Sequence, residues 1–117
     1  MLNELRIDEL KSEIRKIKQE QEEADDFFVK LMREEEKIHE EIQEDIRQLG
    51  VSFDASRGDS RWTALVEERY SILMSADQYY TTSADELIED RKAVNRKCKS
   101  DIEELELEIQ KLGGELL

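Results

Sequence analysis

The side chains best suited to chemistry are few in this sequence and lie far apart. Glu36 and His39 have the Glu-x-x-His spacing with which helices of di-iron proteins hold metal. Such a site needs two copies of the motif and further glutamates, whereas His39 is the single histidine of the chain. The one cysteine, Cys98, cannot form an internal disulfide and is expected to fill a small core position. We therefore predict no metal site and no catalytic cysteine–histidine pair.

Oxygen-bearing side chains also occur together at Asp54, Asp59 and Ser60. A calcium-binding loop would need oxygen ligands at alternating positions and a closing glutamate, and that pattern is missing here. These three residues are better explained as turn and helix-capping residues. Glycine-rich phosphate loops are absent as well. The sequence thus predicts no catalytic residue and no cofactor, and an enzyme is not expected.

The charge balance narrows the classes of partner. The chain has 31 acidic and 18 basic residues, a net charge of −13. This excess of acid disfavours the phosphate contacts of nucleic-acid binding and the attraction to anionic membrane surfaces. No apolar run approaches the roughly 20 residues of a membrane span, and the first ten residues lack the pattern of a cleaved signal peptide. We expect a cytoplasmic protein, or one exported without a cleaved signal peptide.

The elements that must position these residues are predicted to be two long helices. The chain contains no proline, and its 42% charged and 38% hydrophobic residues suit amphipathic helices. Only residues 50–60 interrupt the helical pattern. We predict a helix over about 3–49, a turn over 50–60 and a helix over about 61–112, with Gly50 at the end of the first helix. The whole chain, 1–117, would form one all-α, coiled-coil-like antiparallel hairpin.

Both segments carry an apolar stripe with steps of three and four residues. The first stripe consists of Ile7, Leu10, Ile14, Ile17, Gln21, Ala24, Phe28, Leu31, Glu35, Ile38 and Ile42, continued by Ile46 and Leu49. The second consists of Trp62, Leu65, Val66, Leu73, Ala76, Tyr80, Ala84, Leu87, Val94, Cys98, Ile102, Leu105, Ile109 and Leu112, before Gly113 and Gly114 end the helix. Polar stripe positions such as Gln21 and Glu35 typically fix register. Ser83 and Glu86 have capping-box spacing, so a kink near Thr81–Ser83 is an alternative to a continuous second helix.

The register of the hairpin depends on where the chain turns. Folding at residue 55 would place position i beside about 110 − i. Phe27 and Phe28 would then lie level with Tyr79 and Tyr80, while the basic residues of the two helices would also lie level with one another. Aromatic pairs contribute roughly 0.5–1.5 kcal/mol beyond burial, and exposed ion pairs about 0–1 kcal/mol. We therefore expect the aromatic register rather than one shifted by a turn.

The middle of the hairpin is the predicted partner-binding surface, because its apolar arc is wider than one helix pair requires. The residues assigned to it are Phe27, Phe28, Met32, Trp62, Tyr70, Ile72, Met74, Tyr79 and Tyr80. Phe27, Phe28, Tyr79 and Tyr80 would organise the centre of this surface. Met32, Ile72 and Met74 would face outward. A protein partner is therefore expected. The alternative is a self-associating scaffold, an antiparallel homodimer.

The overall pattern resembles the small helical hairpins related to WXG-type substrates of type VII secretion, and in particular the accessory proteins of LXG-domain toxins. The resemblance rests on two long helices, a short glycine-containing turn, the acidic stretch at 22–28 and the basic later part of the second helix. Trp62 follows the turn, but there is no Trp-x-Gly, and no Tyr-x-x-x-Asp/Glu export signal follows the second helix. The resemblance implies a targeting factor or chaperone that binds the helical LXG region, beside a second small hairpin carrying the export signal.

Overall fold

Two long helices make up the computed structural model, which describes residues 2–55 and 57–115. Helix α1 spans Leu2–Ala55 and helix α2 spans Ser60–Glu115. No strand occurs in these residues. Absence of proline and long runs of good helix formers explain why each helix continues for more than fifty residues. The predicted all-α antiparallel helix pair is confirmed.

The turn is shorter than predicted. α1 continues six residues past the predicted end at 49, and Gly50 lies inside it. A glycine that ends a helix typically adopts a left-handed backbone conformation. In the structure Gly58, not Gly50, has this conformation, with φ 94°. Asp59 caps α2, because its Oδ1 accepts hydrogen bonds from the backbone N–H groups of Arg61 at 3.1 Å and Trp62 at 3.2 Å.

Helix α2 also extends further than predicted, and it has no break in its middle. Gly113 and Gly114 do not end α2, which continues to Glu115. The helix is unbroken through Thr81–Ser83, where the Thr81 hydroxyl donates to the backbone carbonyl of Asp77 at 2.9 Å. A hydroxyl bonded to the preceding turn is compatible with a continuous helix, so the capping-box spacing of Ser83 and Glu86 marks no break.

Contacts divide the chain into two units, each built from a segment of both helices. Residues 2–29 and 89–115 form the terminal unit, and Lys30–Ile88 form the turn unit. In each unit the two segments run antiparallel, since ion pairs and hydrogen bonds join early residues of α1 to late residues of α2. That 1–117 behaves as one domain stays a prediction.

The core of each unit is a narrow seam between the two helices. Leu10 is fully buried, and Ile14, Ile42 and Val66 are nearly so. Most other residues of the two predicted stripes are half-buried, because a helix paired with only one other helix keeps part of its apolar stripe in water. The exceptions are Trp62 and Leu65, which are exposed, and Ile38 at the margin of exposure.

The register differs from the predicted one. Gln21 bonds to Asn95 and His39 to Asp77, so the residue numbers total 116 in both pairs, not about 110. The difference follows from the turn, which is centred on Gly58 rather than on residue 55.

The predicted aromatic layer is therefore wrong. Phe27 and Phe28 belong to the terminal unit, and Tyr79 and Tyr80 belong to the turn unit. Each pair instead packs edge to face within its own helix, with ring centroids 6.3 Å apart for the phenylalanines and 5.3 Å for the tyrosines. Because these rings find aromatic neighbours locally, they do not dictate the register between helices.

Candidate partner-binding surfaces

Polar side chains pair across the seam and fix the alignment of the two helices. Gln21 donates from Nε2 to Asn95 Oδ1 at 3.1 Å, and Ser83 donates from Oγ to Glu35 Oε1 at 2.5 Å. Both polar positions predicted on the first stripe thus have a polar partner on α2. A slip of the helices would leave these half-buried groups without partners, which costs about 1–3 kcal/mol for each unsatisfied group. The pairs therefore specify one register.

A third polar cluster lies in the turn unit. His39 Nε2 lies 2.7 Å from Asp77 Oδ1, and Gln43 donates to the same oxygen at 2.7 Å. The one cysteine, Cys98, belongs to the terminal unit. Within residues 2–55 and 57–115 no three His, Cys, Asp or Glu side chains are grouped to hold a metal ion. The cluster joins α1 to α2 through hydrogen bonds to Asp77.

The strongest charge contact also crosses the seam, in the terminal unit. Arg91 donates from Nε to Asp25 Oδ1 at 2.5 Å and from Nη2 to Oδ2 at 2.8 Å, a bidentate geometry. The hydrogen bonds from Arg91 hold the pKa of Asp25 below its usual value, and the bonds to Asp25 raise the pKa of Arg91. Opposite charges are therefore paired across the seam where the sequence prediction placed like charges level.

The residues predicted to bind a partner belong to both units and differ in exposure. Phe27 in the terminal unit is exposed, as are five residues of the turn unit. Those five are Trp62, Tyr70, Ile72, Met74 and Tyr79. Phe28, Met32 and Tyr80 are half-buried. Ile72 and Met74 face outward as predicted, but Met32 does not, because it lies beside the seam of α1.

Ile72 and Met74 also point to different sides of α2, since residues two positions apart in a helix are separated by about 200° around its axis. On the side of Ile72, a row of mostly apolar residues follows steps of three and four. This outer stripe consists of Trp62, Leu65, Arg69, Ile72 and Tyr79, together with the half-buried Ala76, which it shares with the seam. Leu65, Ile72 and Tyr79 are 54%, 62% and 68% exposed. Both Trp62 and Leu65 were expected in the seam because the two stripes have the same spacing, although Trp62 was also predicted at the partner-binding surface.

Two of the grooves beside α2 in the turn unit are lined by residues of both helices. The groove next to the outer stripe has a volume of about 430 Å³, and the groove on the opposite side about 360 Å³. The first is lined by Asp45, Gln48, Leu49, Ser52, Arg69, Ile72 and Leu73. The second is lined by Leu49, Gly50, Phe53, Val66, Glu67 and Tyr70. The outer stripe therefore continues into a concave surface whose far wall is the polar flank of α1.

Comparison with known proteins does not assign this chain to a family. No protein-family model, no curated protein and no solved structure matches it. The described parts of α1 and α2 contain no stretch with the length and apolarity that a membrane-spanning helix requires. The proposed function therefore rests on the exposed side chains of α2.

Proposed function

We propose that this protein is a non-enzymatic adaptor that packs lengthwise against helices of a protein partner. The observation that carries the proposal is the outer stripe of α2, where three large apolar side chains are more than half exposed at seven-residue spacing. Exposed apolar patches of this kind are typical of protein-interaction sites. A helix that has one apolar stripe in a seam and a second stripe in water is suited to a bundle of three or more helices.

The expected extent of the contact follows from helix dimensions. The stripe runs from Trp62 to Tyr79, which corresponds to about 26 Å of helix. A stable interface buries about 800 Å² on each partner, and one side of a helix over that length offers considerably less. The partner should therefore cover the neighbouring flank of α1 as well, or continue along more of the hairpin.

The proposed partner is the helical LXG region of a type VII secreted toxin, bound together with a second small hairpin. This finer proposal rests on the resemblance in helix number, turn and charge distribution. In that role the protein would act in the cytoplasm as a chaperone or targeting factor.

Co-expression tests the proposal. The full chain should co-purify with the helical LXG region of a type VII secreted toxin, and the complex should survive size-exclusion chromatography with a mass equal to the sum of its chains. The matched measurement is the mass of the protein alone. A tight homodimer that forms no complex with the LXG region would contradict the adaptor function and would indicate a self-associating scaffold.

A further inference from the structure

We infer that the outer stripe of α2 docks one amphipathic helix of a different protein, and that this helix presents a carboxylate to Arg69. The inference rests on the proposed function and specifies its docking surface and the chemistry of its partner. It is carried by three features of the turn unit: the spacing of the stripe, the surroundings of Arg69, and the absence of acidic residues from the stripe.

The spacing of the stripe selects a helix as the occupant. Its residues alternate steps of three and four, the pattern that lets side chains of one helix insert between those of another. Trp62 and Tyr79 stand at the two ends, and Leu65 and Ile72 between them. An extended strand would match a two-residue repeat instead. The exposed side chains therefore favour a helix lying nearly parallel or antiparallel to α2.

Arg69 is the one charged residue in this apolar row. Its neighbours one turn away in either direction are all apolar: Leu65, Val66, Ile72 and Leu73. No carboxylate of α2 is therefore placed at the distance that stabilises an ion pair within a helix. Asp45 lines the same groove, yet no ion pair joins it to Arg69 in the described part of the chain. The guanidinium is thus available to a partner.

Covering the stripe would remove water from Arg69. A charge that loses its water without gaining a partner destabilises the complex, and removing one member of a buried pair costs several kcal/mol. A glutamate or aspartate of the docking helix offsets this by accepting hydrogen bonds from the guanidinium, often in bidentate geometry. The stripe therefore discriminates between helices by a single residue that faces its middle.

A second copy of this chain does not supply that carboxylate. The outer stripe contains no acidic residue. A symmetric antiparallel pairing about the centre of the stripe would set Arg69 opposite Ile72 of the second copy and bring the two Arg69 residues close to the symmetry axis. A symmetric parallel pairing would set them level with each other. Both arrangements bring like charges together over an apolar surface, so the stripe selects a different protein.

Binding of two synthetic peptides to the full chain tests the inference. Each peptide is an amphipathic helix about four heptads long with Leu or Ile at its apolar positions. They differ in one central apolar position, which is Glu in one and Lys in the other. We expect the Glu peptide to bind about tenfold tighter, a difference of about 1.4 kcal/mol. The net charge of −13 favours the Lys peptide, so a preference for Glu requires a local cation.

Variants of the full chain assign that preference to the stripe. Arg69→Gln should equalise the two peptides apart from the general charge effect. Ile72→Gln should weaken both by more than tenfold, since it replaces an apolar contact by an amide that is buried without a hydrogen-bond partner. The matched control is Met74→Gln at an exposed apolar residue on the other side of α2. Circular dichroism should show the same helicity in all variants.

Several results would overturn the inference. Equal or tighter binding of the Lys peptide would exclude the role of Arg69. Loss of binding in Met74→Gln but not in Ile72→Gln would place the site on the opposite side of α2. A tight homodimer that dissociates in Ile72→Gln would assign the stripe to a second copy. If an LXG complex forms and persists in Leu65→Gln and Ile72→Gln, the adaptor function stands and only this docking surface is wrong.

Discussion

Two glycines give the sharpest test of the fold, because the structure and the sequence pattern assign them opposite roles. Gly50 lies inside α1 and Gly58 is the one described residue with a left-handed backbone, at φ 94°. A methyl group at either position would meet no atom within 4 Å outside its own stretch of helix. Replacement by alanine therefore acts through the backbone alone in both cases.

The magnitudes follow from backbone preferences. Gly50→Ala should raise the free energy of unfolding by about 0.5–1 kcal/mol, because alanine loses less conformational entropy than glycine in a helix interior. Gly58→Ala should lower it by about 1–2 kcal/mol, the cost of a Cβ in the left-handed region. The two variants have the same composition, so their difference isolates the position of the turn.

Urea denaturation followed by circular dichroism at the helix band measures both effects. The expected result is a shift of the midpoint upward for Gly50→Ala and downward for Gly58→Ala, with the same denaturant dependence in each. If Gly50→Ala destabilised the protein and Gly58→Ala did not, the chain would turn at residue 50. The register described here, with Gln21 beside Asn95, would then be refuted.

Two further predictions concern the terminal unit. Leu10→Ala should destabilise the protein by about 2–4 kcal/mol because Leu10 is fully buried. Leu5→Ala, at a site that is 62% exposed, should cost less than about 1 kcal/mol. Equal losses of stability in thermal unfolding would contradict the burial of Leu10 in the seam. Since pairing with Arg91 lowers the pKa of Asp25 in the folded state, that contribution is present above the unfolded value of about 3.9 and is lost as the pH falls through the folded value. The stability difference between the native chain and Arg91→Gln should therefore be constant at neutral pH and shrink in acid, and an unchanged difference in acid titration would exclude the ion pair.

Hydrophobic periodicity accounts for the part of the fold that could be predicted from the sequence. Steps of three and four residues identify the seam of α1 from Ile7 to Leu49, and nearly all of its members are buried or half-buried. The register needed information that periodicity does not contain. Gly50 and Gly58 are both plausible turn residues by type, and only the left-handed conformation at Gly58 distinguishes them. The polar partners on α2, Ser83 and Asn95, look like ordinary surface residues in the sequence.

The candidate site was predicted in part for a related reason. Trp62, Ile72 and Tyr79 were expected at a partner-binding surface and are exposed on the outer stripe. Leu65, and Trp62 as well, were also assigned to the seam, because both stripes of α2 repeat at heptad spacing and lie next to each other around the helix. Arg69 carried no signal in the sequence, because a lone arginine on a helix is usually an exposed surface residue. The functional interpretation of Arg69 rests on its four apolar neighbours and on the lack of an ion pair between Arg69 and any described residue.

The polar pairs of the seam bear directly on how the outer stripe would bind. Gln21 with Asn95 in the terminal unit, and Glu35 with Ser83 in the turn unit, fix the alignment of α1 and α2 without a partner. A helix held in this way presents its side chains in a defined order before binding, so less conformational entropy is lost when the complex forms. In the proposed adaptor, the apolar stripe would supply the affinity and Arg69 would supply the selection among helices. A protein with a net charge of −13 that binds one helical partner would need both features, and both lie on one side of α2.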